Sequence, residues 1–206
     1  MDLFYNLNIS ELPILNALQS IHNPVLDWIM IAFSFICEHG EIWIAAGVIM
    51  LIFKRTRRGG IMLLASLAIG FLVTNLTIKP LFARTRPYDM TQFAMVTRDQ
   101  IAAIGAKIPK DLSFPSGHAT ASFASAFALL FFDKKHFGFE ALAVAIIIAF
   151  SRLYLYIHYP TDILAGLLIG LAAAVIVFFV TRFIFKKIDQ RKVRKAAEAA
   201  AENKAE

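Results

Sequence analysis

Ile163-Leu-Ala-Gly-Leu-Leu-Ile-Gly-Leu-Ala-Ala-Ala-Val-Ile-Val-Phe-Phe-Val180 holds no charge and no hydrogen-bonding side chain, and Lys186-Lys187 closes the apolar run soon after. Extended to residues 160–185 it can cross a bilayer core as a helix, which takes about 20 residues at ~1.5 Å each. Working outward, residues 23–37, 41–53, 59–78, 115–132 and 139–157 repeat the signature. Composition agrees: 58% of the chain is hydrophobic and 17% charged, where a soluble domain has nearer half and a quarter. The expected fold is all-α, a polytopic membrane bundle of six transmembrane helices. Residues 1–20 set Leu3, Phe4, Leu7, Leu15 and Leu18 among polar residues, so an interfacial amphipathic helix is expected there. That segment holds no Lys or Arg, unlike a cleavable signal peptide. One membrane-embedded domain, 1–195, and a polar tail, 196–206, complete the layout.

The charges orient the bundle. Lys54, Arg55, Arg57 and Arg58, then Lys134 and Lys135, then Lys186 to Lys195 form three basic clusters. If every span crosses once they share one side, and the positive-inside rule makes it cytoplasmic. Residues 79–114 and 158–162 then face outside, and the carboxyl terminus lies in the cytoplasm of a plasma-membrane protein. If residues 23–37 are only peripheral, five spans remain and the amino terminus is outside. The net charge of +6 is therefore topogenic and lipid-attracting, and no nucleic-acid partner is expected. Cys37 is the single cysteine, which leaves neither an internal disulfide nor a thiolate metal cluster.

Ionisable residues remain on the opposite side, where apolar spans end, and such positions tend to mark function. Lys79 and Arg86 follow the third apolar stretch. Arginine offers a planar fork to phosphate oxygens and lysine a mobile point charge, though either also snorkels to headgroups without further purpose. Pro115-Ser-Gly-His118 opens the fourth stretch. Proline suits a first helical turn, and the N–H groups of Ser116 and Gly117 can face an anion there. His118, in the same turn, can donate a proton to a leaving oxygen. Arg152, His158 and Asp162 come from the third segment. A carboxylate four residues after His158 can hold one ring nitrogen and leave the other free to attack; alone, Asp162 is also a favourable charge at a helix start.

Lys79-x6-Arg86-Pro87, Pro115-Ser-Gly-His118 and Ser151-Arg152-x5-His158-x3-Asp162 resemble the three signature motifs of the type 2 phosphatidic acid phosphatase superfamily, complete and in order. The resemblance implies a lipid phosphatase. His158 would be the nucleophile forming a phosphohistidine, Asp162 its orienting carboxylate, and His118 the acid and later the base. Lys79, Arg86, Arg152, Ser116 and Gly117 would bind the phosphoryl oxygens. It implies no cofactor and no metal, since three fixed cations supply the charge and would repel a divalent ion. Glu38 and His39 receive no role, and Arg84 and Asp89 are expected to support the binding loop or to form a salt bridge.

Other readings stay open on the sequence. A vanadate-binding haloperoxidase shares the site chemistry, but those relatives are soluble. A transporter is expected to bind at the bilayer midplane, between repeats, and a non-catalytic lipid-binding protein to lose His118, His158 or Asp162. The expected partners are the bilayer and a lipid phosphate. Residues 22–29 and His158-Tyr-Pro-Thr-Asp162 are similar to bacitracin-resistance-type undecaprenyl diphosphatases, whereas Gly117 stands where that group often has Asp. Phosphatidylglycerophosphate and phosphatidic acid are the alternative substrates.

Overall fold

The computed structural model describes residues 4–90 and 92–205; Leu3 of the amino-terminal segment lies outside them. Every regular element among these residues is helical. In chain order they are α1 (Tyr5–Leu18), α2 (Pro24–Phe35), α3 (Glu41–Ile52), α4 (Arg57–Phe71), α5 (Lys79–Phe82), α6 (Arg98–Ala103), α7 (Gly117–Phe132), α8 (Phe139–Tyr154) and α9 (Pro160–Ala205). A π-helical turn, Leu72–Ile78, joins α4 to α5. The runs Arg57–Asp89, Lys134–Tyr154 and Pro160–Glu198 are long and apolar enough to cross a membrane, whereas α2, α3 and α7 are shorter apolar helices. Leu164, Leu168, Ile176 and Phe179 on α9 are more than half exposed. Such a surface suits hydrocarbon rather than water.

Helix α7 is the axis of the bundle, packed by α4, α8 and α9. Its small residues allow close approach. A Cβ on Gly170 of α9 would come 2.6 Å from the Ala124 nitrogen, and one on Gly166 2.9 Å from the Ser116 carbonyl oxygen. This is the small-xxx-small packing by which membrane helices associate without a hydrophobic drive. Phe123, Ala126 and Leu129 fill the other side against Trp43, Leu63, Leu67, Ala145 and Ile148.

The basic clusters do share one end. Arg58 pairs with Asp189 at 2.7 Å and its guanidinium lies 4.8 Å over the Phe185 ring, while a Cβ on Gly59 would touch Phe132 at the end of α7. His118 heads α7 at the other end, about 21 Å away at ~1.5 Å per residue. That end carries a cap: α1, α2, α6 and the connections around them pack Leu12, Leu15, Met30, Tyr88 and Ile101 against Tyr154, Leu155, Tyr156, Ile157 and Tyr159.

Three elements bear on the expected layout. The stretch expected to be a first span, or else only peripheral, is α2, and both of its ends touch the site end of the bundle. At its start Asp27 accepts from the Tyr154 hydroxyl at 2.5 Å, and at its end Ser34 contacts both Arg152 and His118. Both ends thus sit at the level where α8 stops and α7 begins. Second, α1 is helical, as expected within residues 1–20, and one face buries Asn8, Glu11, Leu12 and Leu15 against the bundle. Third, α9 continues past residues 185 and 195 to Ala205. The basic and Ala/Glu/Lys-rich residues there are good helix formers, and no glycine or proline follows Gly170 to stop them.

Candidate active site

His158 is positioned by the way α8 ends. Tyr156 takes the left-handed conformation, φ 59°, which costs a non-glycine residue on the order of 1–2 kcal/mol. Its N–H returns to the Leu153 carbonyl at 3.0 Å and that of Ile157 to Arg152 at 3.1 Å, the pattern of a Schellman stop. Burial holds the turn: Tyr156 is fully enclosed and its hydroxyl donates to Asn16 of α1 at 2.6 Å. The chain then enters α9 at Pro160, with Asp162 in the first turn.

His158 Nδ1 lies 3.2 Å from Asp162 Oδ2, and its Nε2 faces the cavity 3.3 Å from an Arg86 Nη1. A carboxylate accepts only, so Nδ1 carries the proton and Nε2 the lone pair. Asp162 is itself fixed by the Tyr159 N–H at 2.9 Å, the Ser113 hydroxyl at 2.6 Å and Arg84 at 2.7 Å. Burial, then the charges of Arg86, Arg152 and Lys79, pushes the His158 ring well below the usual histidine range.

The cations converge as the motifs suggest. Lys79, Arg86 and Arg152 line one cavity with Gly117, His118 and His158. The π-helical turn before Lys79 shifts the helix register that leads to it, a device common near functional sites. Arg86 is held by the carbonyl oxygens of Asp111, Ile157 and Leu112 at 2.8, 2.9 and 3.2 Å. His118 Nε2 is 3.1 Å from the Ser34 carbonyl, so that nitrogen carries the ring proton. Ser116 departs from expectation. Its N–H donates to the Asp162 carbonyl at 3.1 Å, while its hydroxyl caps α7 at Ala119. It therefore ties α7 to α9, and Gly117, beside Lys79 and Asn75, is the open approach for an anion.

Sequence reasoning missed two acidic partners, Glu11 and Asp111, and left the partners of Arg84 open. Arg84 is fully buried and does not pair with Asp89, which binds Arg98 at 2.6 and 2.8 Å. Its guanidinium instead reaches Asp162 and Thr161 at 2.7 Å, Glu11 at 2.5 Å and Asn8 at 2.8 Å, and stacks 4.0 Å over the Tyr159 ring. Glu11 also accepts from the Thr161 N–H at 2.8 Å, so α1 reaches His158 through one chain of bonds. Asp111 bonds both Lys79 Nζ and Arg86 Nη2, the latter at 2.7 Å. Burial alone would raise its pKa, but those two cations hold it down at about 2. Glu38 pairs with Lys107, and His39 with Glu41 at 2.8 Å, at the cavity mouth. No three His, Cys, Asp or Glu side chains among the described residues are placed to share a metal ion.

The cavity has a volume of about 980 Å³. Beyond the polar end its wall is Ile44 of α3 with Leu64, Ala68, Phe71 and, just past α4, Leu72. Phe71 and Leu72 are half exposed on the outside of the bundle, so the polar end communicates with the lipid-facing surface.

The profile of the PAP2 superfamily matches residues 59–187, from the start of α4 into the basic part of α9 and across all three motifs. The chain belongs to the PAP2 superfamily. It is a phosphatase of that family, embedded in a membrane. The chain is similar to the undecaprenyl-diphosphatase of Sulfolobus acidocaldarius, 31% identical over 66% of this chain and 63% of that protein. It is also similar to the undecaprenyl-diphosphatase BcrC of Bacillus subtilis, 32% identical over 77% of each. Aquifex aeolicus LpxE, a solved structure, shares the fold with a TM-score of 0.65 and 22% identity over 81% of this chain and 93% of that one.

Proposed function

We propose that this PAP2 member is a metal-independent lipid diphosphate phosphatase of the outer membrane face, with undecaprenyl diphosphate as substrate and a phosphohistidine intermediate. The observation that carries the reading is the single cavity, in which a buried His–Asp pair and three cations meet an apolar wall open toward lipid. A long isoprenyl chain fits such a wall while its headgroup enters the polar end. His158 Nε2 attacks the terminal phosphorus, and the bond to the bridging oxygen breaks. His118, protonated on both ring nitrogens beside the bound phosphate, gives its Nδ1 proton to that oxygen while Nε2–H stays on the Ser34 carbonyl, and undecaprenyl phosphate leaves. Water then attacks the phosphohistidine with His118 as base, releasing orthophosphate and restoring His158. Lys79, Arg86 and Arg152 stabilise the charge on the phosphoryl oxygens, supported by the Gly117 N–H.

Charge asymmetry supports the orientation: the basic end of α4 and α9 belongs in the cytoplasm by the positive-inside rule. The crosswise α2 supports five crossings, by α3, α4 with α5, α7, α8 and α9.

The undecaprenyl-diphosphatases of Sulfolobus acidocaldarius and Bacillus subtilis among the relatives favour the diphosphate. Gly117, where that group often has Asp, keeps phosphatidylglycerophosphate and phosphatidic acid in the test. Purified protein should release phosphate faster from undecaprenyl or farnesyl diphosphate than from phosphatidic acid, in excess EDTA, with inhibition by vanadate and none released by His158→Ala. Diphosphates left intact while phosphatidylglycerophosphate turns over would overturn the substrate. Activity lost to chelator and restored by magnesium would overturn the metal-free mechanism.

A further inference from the structure

We propose that Asp111 is a specificity residue, a carboxylate that occupies the phosphate cradle of the empty enzyme and must be displaced by an incoming phosphoryl group. This rests on the cradle assignment above. One carboxylate oxygen meets Lys79 Nζ and the other Arg86 Nη2, the same donors that would bind phosphoryl oxygens. A carboxylate and a phosphoryl face present similar paired acceptors to an arginine fork, so the two compete for one place.

The geometry separates this contact from the structural ion pairs nearby. Asp162 and Glu11 are buried, and both accept from neighbouring N–H or hydroxyl groups besides Arg84. Among the described residues the Asp111 side chain takes bonds from the two cradle cations alone, and it is 53% exposed at the cavity mouth. Its backbone is anchored independently, because Arg86 Nε donates to the Asp111 carbonyl and the Ser113 N–H to the Arg84 carbonyl at 2.9 Å. The side chain can therefore swing into solvent with the loop in place. Arg86 stays fixed by three carbonyl oxygens when it does.

The consequence is discrimination between tailed substrates and free orthophosphate. Any anion must open the cradle, and if the closed form is about 90% populated, apparent affinity falls about tenfold. A lipid offsets that cost by burying its chain along Ile44, Leu64 and Phe71. Orthophosphate, which has no tail, does not, so Asp111 speeds release of the product common to every substrate.

The test compares orthophosphate binding, by calorimetry on the purified full-length protein, in wild type, Asp111→Asn and Asp111→Ala. Both variants should bind orthophosphate about tenfold more tightly, with vanadate following the same order and Asp111→Glu returning toward wild type. The KM for a lipid substrate should fall less than the orthophosphate Kd. If Asp111 instead orients Lys79 and Arg86, both variants will bind orthophosphate more weakly, and the proposal is overturned. Unchanged affinity overturns it too, even where wild-type protein hydrolyses lipid phosphates normally. A wild type that neither binds orthophosphate nor hydrolyses any lipid phosphate refutes the cradle itself.

Discussion

At the scale of single residues, the proposed nucleophile is held ready by its surroundings. His158 must present an unprotonated Nε2, and burial with three nearby cations depresses its pKa below the ordinary 6.5. The acid limb of kcat/KM, which reports the free enzyme, should therefore lie below pH 6.5. Arg86→Ala removes the largest of those charges and should move the limb to higher pH while activity drops. A limb that stays put or moves down would detach it from His158. Arg84 makes a second case. Removing it leaves Glu11 and Asp162 buried without their counter-charge, which costs about 3–5 kcal/mol. Arg84→Ala should thus lower stability in thermal melts and abolish turnover, although the side chain lines no part of the cavity. The sequence made His158, Asp162, His118 and the three cations legible, because short fixed spacings and helix ends carry them. It left the partners of Arg84 open and hid Glu11 and Asp111. Glu11 and Arg84 are 73 residues apart and Asp111 lies 32 residues beyond Lys79. Each reads alone as an ordinary surface charge until packing brings the partners together.

At the scale of elements, apolar runs made the helices readable, α2 included, but left open whether residues 23–37 cross or lie peripheral. Apolarity specifies burial away from water, but direction relative to the bundle comes from what the two ends touch. For α2 those contacts are His22 and Asp27 with Tyr154, and Ser34 with Arg152 and His118, partners that no local pattern announces. The α7–α9 seam shows the opposite case, since its Gly-x-x-x-Gly spacing stands openly at Gly166 and Gly170. Gly170→Ala would drive a methyl group to 2.6 Å from α7 backbone, and overpacking of this kind costs about 1–3 kcal/mol. The seam also carries the bond from Ser116 to Asp162, so activity should fall with the melting temperature. Gly117→Ala is the contrast. Its Cβ would meet only Asn75 Oδ1 at 3.8 Å and Lys79 Nζ at 3.9 Å, so stability should hold within about 0.5 kcal/mol. Its methyl points into the anion approach, and turnover should drop without a change in melting. Equal melting losses in the two variants would show that the seam is not tightly packed.

For the whole molecule, the number of crossings decides which side each terminus occupies. The cap formed by α1, α2 and α6 lies at the site end, whereas Arg58 and Asp189 meet at the other. Five crossings put the two termini on opposite sides of the membrane; six would put them together, with α1 torn from the residues it binds. Those contacts are numerous: Asn8 and Glu11 hold Arg84, Glu11 holds Thr161, and Asn16 accepts from Tyr156. A crossing by α2 would break all of them. Thiol accessibility in intact cells separates the cases. Asn6→Cys and Lys107→Cys should react with a membrane-impermeant maleimide from outside, and Arg57→Cys and Lys195→Cys only after permeabilisation. Cys37, buried against Ser122 and Trp43, should contribute no background in either condition. If Asn6→Cys reacts only after permeabilisation, as Arg57→Cys does, α2 crosses after all. The support of Arg84 by α1 would then be lost, and with it the account of how Asp162 stays charged beside the proposed nucleophile.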